Sequence, residues 1–189
     1  VRKVAKATPE PGRRARRAAH MDQAGLKERA AKLISFGGIT DKNIEQLRKL
    51  NLTVFPVRYS DKFYTDLSTA DTHKEFSHLG YFSDIMVGAI CCRQEPQEGT
   101  QFKLYIMTIG VLAPYRRIGV GQQLLLEVLK AAAEKSDCVE IYLHVQVGND
   151  EAVEFYEKNG FVRGEVVKDY YQRLDVCDAI VLSKKPPFT

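Results

Sequence analysis

The sequence has little of what a membrane protein, a disulfide-bonded protein or a metalloprotein needs. None of its apolar runs approaches the ~18 residues that a bilayer-spanning helix requires, so we expect no membrane span. Only four of the 189 residues are cysteine, and they form no C-x-x-C pair and have no histidine at zinc-ligand spacing. We therefore expect no metal site and interpret Cys91, Cys92, Cys138 and Cys177 as buried free thiols of a reducing cytosol.

Common nucleotide-binding and nucleophile motifs are absent as well. Neither G-x-x-x-x-G-K-[ST] nor G-x-G-x-x-G occurs, so the sequence gives no sign of nucleoside triphosphate or dinucleotide binding. No serine or cysteine lies in a recognisable nucleophile motif, which argues against a covalent enzyme intermediate.

Positive charge is concentrated at the N-terminus. The whole chain carries a net charge of +4, residues 1–40 carry +7, and the remaining 149 residues therefore carry −3. Residues 1–32 contain the run RRARR, two prolines and few large apolar side chains, which predicts a basic, disordered extension. Such a segment could also bind a polyanion such as ribosomal RNA, or act as an organelle-targeting peptide.

The rest of the chain, 33–189, is predicted to form one domain with a mixed α/β order, in which strands come first and βαβ-like units later. We predict that 102–112, an almost continuous apolar run, is a central strand buried on both faces. The segment 93–100 is polar and is predicted to be a hairpin loop. Helices are predicted after a cap at Thr40 or Asp41, at 61–67, around 124–129 and at 149–158, and the other strands at 33–39, 76–82, 85–92, 138–147, 161–167 and 176–182.

The most specific feature is the turn between strand 102–112 and the helix that follows it. Its sequence is APYRRIGVG, from Ala113 to Gly121. A helix N-terminus presents unpaired N–H groups and the positive end of the helix dipole, and glycines let an anion approach the backbone. Arg116 and Arg117 add positive charge, and 85–126 contains no acidic residue except Glu95 and Glu98. The turn is therefore predicted to bind a phosphate-bearing ligand.

Two signatures together resemble the GNAT acetyltransferase family. RRIGVG at 116–121 resembles the Q/R-x-x-G-x-G/A loop that holds the pyrophosphate of coenzyme A, and NDEAVEFYEKNGF at 149–161 resembles the second signature N-x-x-A-x-x-F-Y-x-x-x-G-F. The resemblance implies the GNAT fold, an α/β (α+β) arrangement with a twisted, mixed and mostly antiparallel sheet of about seven strands and about four helices. It also implies that acetyl-CoA is the cosubstrate.

Within that family, FPVRY at 55–59, LYIMT at 104–108, IYLHVQ at 141–146 and the pair Tyr170-Tyr171 resemble the catalytic subunits of NatE-type N-terminal acetyltransferases. The resemblance extends from about 33 to about 183, with departures at 68–74 and 94–101, which are predicted to be surface loops. It implies a catalytic pair formed by Tyr105 and His144. The implied peptide pocket consists of Phe55, Pro56, Val57, Tyr59, Met107, Tyr170 and Tyr171, and the implied acetyl-CoA contacts are Ile109, Gly110, Val111, Leu112, Arg116, Arg117, Ile118, Gly119, Val120, Gly121, Gln122, Asn149 and Tyr156.

The resemblance further implies acetylation of protein N-termini that begin with Met followed by an apolar residue. It also implies association with the NatA complex at the ribosome and a cytoplasmic location, with the nucleus as a second one. Two alternatives remain open: a lysine acetyltransferase of the same fold, and a protein that mainly docks on a ribosome-associated acetyltransferase complex. The residues agree with amine chemistry, since an α-amino group titrates near ~8 and a nearby base such as His144 can take its proton.

Overall fold

The computed structural model describes residues 31–172 and 175–188. The predicted basic extension, 1–32, lies outside the described residues except for its last two. Within the described ranges the chain forms a seven-stranded sheet and five α-helices, in agreement with the predicted fold class. The strands are β1 (Ile34–Gly38), β2 (His78–Phe82), β3 (Ile85–Pro96), β4 (Phe102–Val111), β5 (Cys138–Gln146), β6 (Val162–Val167) and β7 (Ala179–Lys184). The helices are α1 (Ile44–Val54), α2 (Asp61–Thr69), α3 (Asp71–Lys74), α4 (Val120–Ala133) and α5 (Asp150–Glu157), and a 3-10 turn covers Ala113–Tyr115.

The sheet is mixed and mostly antiparallel, as predicted. Its strand order is β1-β2-β3-β4-β5-β7-β6, and β4 and β5 form the one parallel pair in the part of the chain that the structure describes. The two strands of that pair are joined by α4, because parallel neighbours need a crossover connection. The central position predicted for 102–112 is confirmed, since β4 is the fourth of seven strands.

Two apolar clusters pack on the two faces of the sheet. Leu124, Leu125 and Val128 of α4 belong to one cluster, and Leu47 and Leu50 of α1 belong to the other. Burial along β4 alternates between fully buried and half-buried residues. The prediction that this strand is buried on both faces was therefore wrong, and the half-buried face carries the candidate site.

Four local predictions also need correction. The segment 93–100 is not all loop, because β3 stays paired with β4 as far as Pro96, beyond a bulge at Cys91/Cys92. Helix α1 begins at Ile44, so its N-cap position is Asn43 rather than the predicted Thr40 or Asp41, and no side chain caps the helix. The segment 68–74 contains α3, and β7 begins at Ala179, where its pairing with β5 starts.

Candidate active site

Strands β4 and β5 part in the middle of the sheet. Their pairing runs from Phe102 and Cys138 to Tyr105 and Tyr142, and no later pair joins them within the described residues, although β4 continues to Val111. On its other side β4 remains paired with β3 along its whole length. Backbone groups of β4 that face β5 beyond Tyr105 therefore have no partner on β5, although the Val111 carbonyl oxygen accepts a hydrogen bond from Arg116 Nε. The predicted cofactor residues Ile109, Gly110, Val111 and Leu112 lie along this opening.

The turn after β4 leads directly into the N-terminus of α4. Gly119 precedes the helix with φ of +102°, a left-handed conformation that favours glycine. No side chain caps α4, and its first hydrogen bond joins the Gln123 N–H to the Gly119 carbonyl oxygen (2.9 Å). Helix geometry therefore leaves the N–H groups of Val120, Gly121 and Gln122 unpaired within the helix, at its positive end.

The two arginines of the turn are exposed and have different contacts. Arg116 Nε donates a hydrogen bond to the Val111 carbonyl oxygen (2.9 Å), which closes the turn onto the end of β4. Arg117 adopts φ of +64° and lies 3.6 Å from a carboxylate oxygen of Glu151. Both guanidinium groups add positive charge beside unpaired N–H groups, a combination that suits a phosphate-bearing ligand.

The remaining predicted cofactor residues differ in what their side chains can reach. Val120 is buried in the core and Ile118 packs against it, so at these two positions the backbone rather than the side chain is available to a ligand. Gln122 is exposed. The Asn149 side chain caps α5 by accepting a hydrogen bond from the Ala152 N–H (3.2 Å). Tyr156 is buried, and this burial raises the pKa of its hydroxyl well above the ordinary value.

The predicted catalytic residues lie together in an aromatic cluster beside the opening. The ring centroids of Tyr105 and His144 are 5.7 Å apart in an edge-to-face arrangement. Tyr170 stacks on His144 with centroids 4.0 Å apart and planes 10° apart, and its hydroxyl is 2.8 Å from that of Tyr105. The Tyr171 hydroxyl donates a hydrogen bond to the His144 carbonyl oxygen (3.3 Å). The structure thus brings four predicted residues from three separate parts of the sequence into contact.

The electrostatics of the cluster distinguish a base from a hydrogen-bond partner. Burial lowers the pKa of His144, and its Nδ1 is buried with no hydrogen-bond partner among the described residues, so the ring is neutral at neutral pH. Burial, together with the hydrogen bond to Tyr170, raises the pKa of Tyr105 well above its ordinary range. Tyr105 therefore remains a phenol that donates and accepts hydrogen bonds, whereas His144 can take up a proton.

The predicted peptide-pocket residues of the loop after α1 pack against the same region. The Phe55 ring lies on the backbone of β4, since a Cβ at Gly110 would come within 3.0 Å of Phe55 Cζ. Tyr59 contacts Phe55 edge-to-face (5.9 Å), and burial, with smaller effects of nearby residues that include Tyr171 and Tyr170, raises its pKa. This loop therefore lies near the Tyr170-Tyr171 pair. Pro56 is exposed, while Val57 and Met107 are half-buried.

Three further residues adjoin the cluster and were missed by the sequence interpretation. Tyr142 lies 5.0 Å from Tyr105 and 6.0 Å from His144, measured between ring centroids. Glu95 accepts a hydrogen bond from the Tyr142 hydroxyl, and Arg93 lies over the Tyr105 ring at 5.3 Å. The available signal was the alternation of strand side chains, which puts Tyr142 on the same face as His144. Arg93 and Glu95 lie in the part of β3 for which the polar sequence predicts a loop.

Neither a metal centre nor a transmembrane helix is found in the described part of the chain. Residues 31–172 and 175–188 contain no group of three or more His, Cys, Asp or Glu that could hold a metal ion. In the same ranges, no helix is long and apolar enough to cross a membrane.

Comparison with known proteins agrees with this geometry. Residues 44–161 match the acetyltransferase (GNAT) family, and this match includes the opening between β4 and β5, the turn, and Tyr105 and His144 of the aromatic cluster. The chain belongs to the GNAT acetyltransferase family.

Individual relatives cover most of the chain. N-alpha-acetyltransferase 50 of Danio rerio is 47% identical over 151 residues, which are 80% of this chain and 88% of that protein. The probable N-acetyltransferase san of Drosophila melanogaster is 46% identical over 151 residues, 80% of each chain. Among solved structures, Naa50 of Arabidopsis thaliana in complex with the bisubstrate analogue CoA-Ac-MVNAL superposes with a TM-score of 0.76 at 47% identity, covering 81% of this chain and 99% of that one. The resemblance inferred from the motifs is confirmed.

Proposed function

We propose that this protein is an N-alpha-acetyltransferase that transfers the acetyl group of acetyl-CoA to the α-amino group of protein N-termini. The observation that carries the proposal is the arrangement of the Tyr105–His144 pair beside the parted strands β4 and β5. Almost half of the aligned residues are identical to those of N-alpha-acetyltransferase 50, and the same holds for a relative solved with a CoA–peptide analogue. Both comparisons support acetyl-CoA as the donor and a protein N-terminus as the acceptor.

The cosubstrate acetyl-CoA would bind with its pyrophosphate at the turn before α4 and its acyl end toward the opening. The N–H groups of Val120, Gly121 and Gln122 and the charges of Arg116 and Arg117 suit the pyrophosphate. Residues 109–112 offer backbone groups along the opening, and Ile118 and Gly119 complete the turn. Asn149 would contribute by fixing the start of α5. Tyr156, whose buried phenol keeps its proton, is placed in the same binding role.

His144 is proposed as the base and Tyr105 as its hydrogen-bonding partner. An α-amine attacks a thioester only in its neutral form, so its proton must first pass to a base, directly or through water. A neutral imidazole with a lowered pKa meets this need, and the Tyr105 phenol can hold the amine or the water in place. Acetyl-CoA would supply the activated acetyl group, which passes directly to the amine as its C–S bond breaks and coenzyme A leaves as the thiol, with no covalent enzyme intermediate.

The acceptor is proposed to begin with Met followed by an apolar residue. Phe55, Pro56, Val57, Tyr59, Met107, Tyr170 and Tyr171 would form the pocket for the first two side chains. Aromatic and apolar side chains favour an apolar residue over a charged one. The Arabidopsis relative was solved with an analogue whose peptide begins Met-Val, which supports the same preference.

Association and location remain part of the proposal. We propose that the protein acts as a NatE-type subunit that joins the NatA complex at the ribosome and works in the cytoplasm and the nucleus. The net charge of +7 on residues 1–40 supports contact with ribosomal RNA, because phosphate backbones attract Lys and Arg without regard to sequence.

A peptide panel tests the proposed reaction. Purified protein is given acetyl-CoA and peptides that differ in their first two residues, together with N-terminally blocked peptides that carry internal lysine. We expect turnover on free Met-apolar N-termini and little on the blocked peptides. Faster transfer to the blocked lysine peptides would show a lysine acetyltransferase, and no transfer to any peptide would favour a docking role.

A further inference from the structure

We infer that Glu95 is a positioning residue for acetyl transfer, holding Tyr142 and Arg93 against the Tyr105–His144 pair. This inference rests on the proposed function. Glu95 lies on β3, two strands away from His144, so it acts through its neighbours and does not touch the reacting atoms.

Both carboxylate oxygens of Glu95 are engaged. Oε1 accepts hydrogen bonds from the Arg93 guanidinium, one of them from Nε at 3.2 Å, and Oε2 accepts the hydrogen bond from the Tyr142 hydroxyl. The side chain is only 26% exposed, so water competes weakly for these oxygens. A carboxylate held between a guanidinium and a phenol fixes the orientation of both groups.

The two partners of Glu95 contact the proposed catalytic residues from separate strands. Strand register aligns Arg93 with Tyr105 on β4, and Tyr105 with Tyr142 on β5. Arg93 covers the Tyr105 ring at 5.3 Å, and the Tyr142 ring packs within 5.0 Å of Tyr105 and 6.0 Å of His144. One carboxylate thus supports both members of the pair, because its two partners lie in the same row across the sheet.

Charge gives Glu95 a second effect on His144. The cluster around the imidazole consists mainly of tyrosine hydroxyls, those of Tyr105, Tyr142, Tyr170 and Tyr171, with Tyr59 nearby on the loop after α1. Burial raises the pKa of Tyr105 and Tyr142 far above neutral and that of Tyr171 to about 12, so these three carry no charge at neutral pH.

Glu95 and the Arg93 bound to it are charged groups beside the cluster. Although burial of Glu95 favours its neutral form, hydrogen bonds from Tyr142 and Arg93 lower its pKa, so it stays ionised. Its negative charge raises the pKa of His144 against the lowering effect of burial. An imidazole that has accepted the proton of the amine is therefore stabilised.

The test compares Glu95→Gln with a matched control, Glu140→Gln. Gln keeps the size of the side chain and can still accept the Tyr142 hydrogen bond, but it removes the charge. Glu140 is also partly buried and pairs with Lys103 (2.8 Å), yet it does not contact the aromatic cluster. For Glu95→Gln we expect kcat to fall about tenfold, less than the ~10²-fold minimum for loss of the base itself, with KM for acetyl-CoA unchanged.

The pKa of His144, followed by NMR of its ring, should be lower in Glu95→Gln than in the unchanged protein, and unaltered in Glu140→Gln. Glu95→Asp, which restores the charge on a shorter arm, should recover part of kcat. Tyr142→Phe combined with Glu95→Gln should lose less than the product of the single losses, because both act through one contact.

Three results would overturn the inference: kcat of Glu95→Gln equal to that of the unchanged protein, a His144 pKa that does not move, or an equal loss in Glu140→Gln. A lower melting temperature with normal kcat would assign Glu95 a purely structural role and overturn it as well. Failure of the unchanged protein to acetylate any N-terminus would instead refute the proposed function, so the two failures are distinguishable.

Discussion

Replacing Gly121 by alanine is expected to stabilise the free protein and, at the same time, to weaken its binding of acetyl-CoA. Gly121 lies in the first turn of α4, and a Cβ there would meet Val111 Cγ2 at 3.6 Å, an ordinary contact. The protein itself therefore has no steric need for glycine at this position. The proposed need comes from the ligand, since a methyl group would crowd a phosphate held by the N–H groups of the turn.

Both effects can be given a magnitude. Alanine in place of glycine within a helix raises the free energy of unfolding by about 0.5–1 kcal/mol, which raises the melting temperature of a protein of this size by about 1–4 °C. Acetyl-CoA at 100 times its Kd stabilises the folded state by about 2.7 kcal/mol. If the methyl group weakens binding by ten- to a hundredfold, the same ligand concentration contributes only about 1.4 to 0.4 kcal/mol.

Thermal unfolding with and without acetyl-CoA measures both quantities in one series. Thr65→Ala serves as the control, because Thr65 is an exposed residue of α2 away from the turn, and alanine favours a helix there too. The control should keep the full stabilisation by acetyl-CoA. If Gly121→Ala also keeps it, the turn before α4 does not hold the pyrophosphate, and the argument from glycine is refuted.

Three further predictions concern the base, the peptide loop and the extension. His144→Phe and Tyr105→Phe should each lower kcat by ~10²- to 10⁴-fold, and the double variant should lose less than the product of the two single losses. High pH should restore part of the rate, because the peptide amine is then already neutral. The unchanged enzyme should lose kcat only below about pH 6.5, because burial lowers the pKa of His144 and the imidazole takes up a proton only below that pH. Wild-type kcat in both variants would contradict the roles of His144 and Tyr105. Gly110→Ala should raise KM for the peptide, because its Cβ would lie 3.0 Å from Phe55 Cζ and displace the Phe55 ring. An unchanged KM would show that Phe55 does not line the peptide pocket. Deleting residues 1–32 should leave peptide turnover intact and reduce both ribosome binding and its dependence on salt, whereas a large loss of turnover would assign this segment to the catalytic domain.

Much of the fold and the family could be predicted because their signals are local. An almost continuous apolar run marked β4, and a 3.6-residue period marked α4. The turn between β4 and α4 was recognisable because two glycines and two arginines stand together between a strand and a helix. These features depend on residues close together in the chain, so the sequence displays them directly.

Element boundaries were less predictable where a partner strand decides them. Polar composition predicted a loop at 93–100, yet β3 runs to Pro96 because β4 offers hydrogen bonds as far as Phe102. Polar residues tolerate a strand when its backbone is paired and one face is open. The same non-local pairing determines that β7 begins at Ala179.

The sequence by itself determined most of the order of helices and strands and the anion-binding turn, and its resemblance to a family singled out Tyr105 and His144. Only the tertiary structure decided which side chains surround them. Tyr170 reaches His144 from a distant loop, and Glu95 reaches the pair through Tyr142 across three strands. Such contacts depend on strand register and on a bulge at Cys91/Cys92, and a shift of one residue would turn these side chains to the opposite face. Register is fixed by the packing of the whole sheet, and no single segment of the chain encodes it.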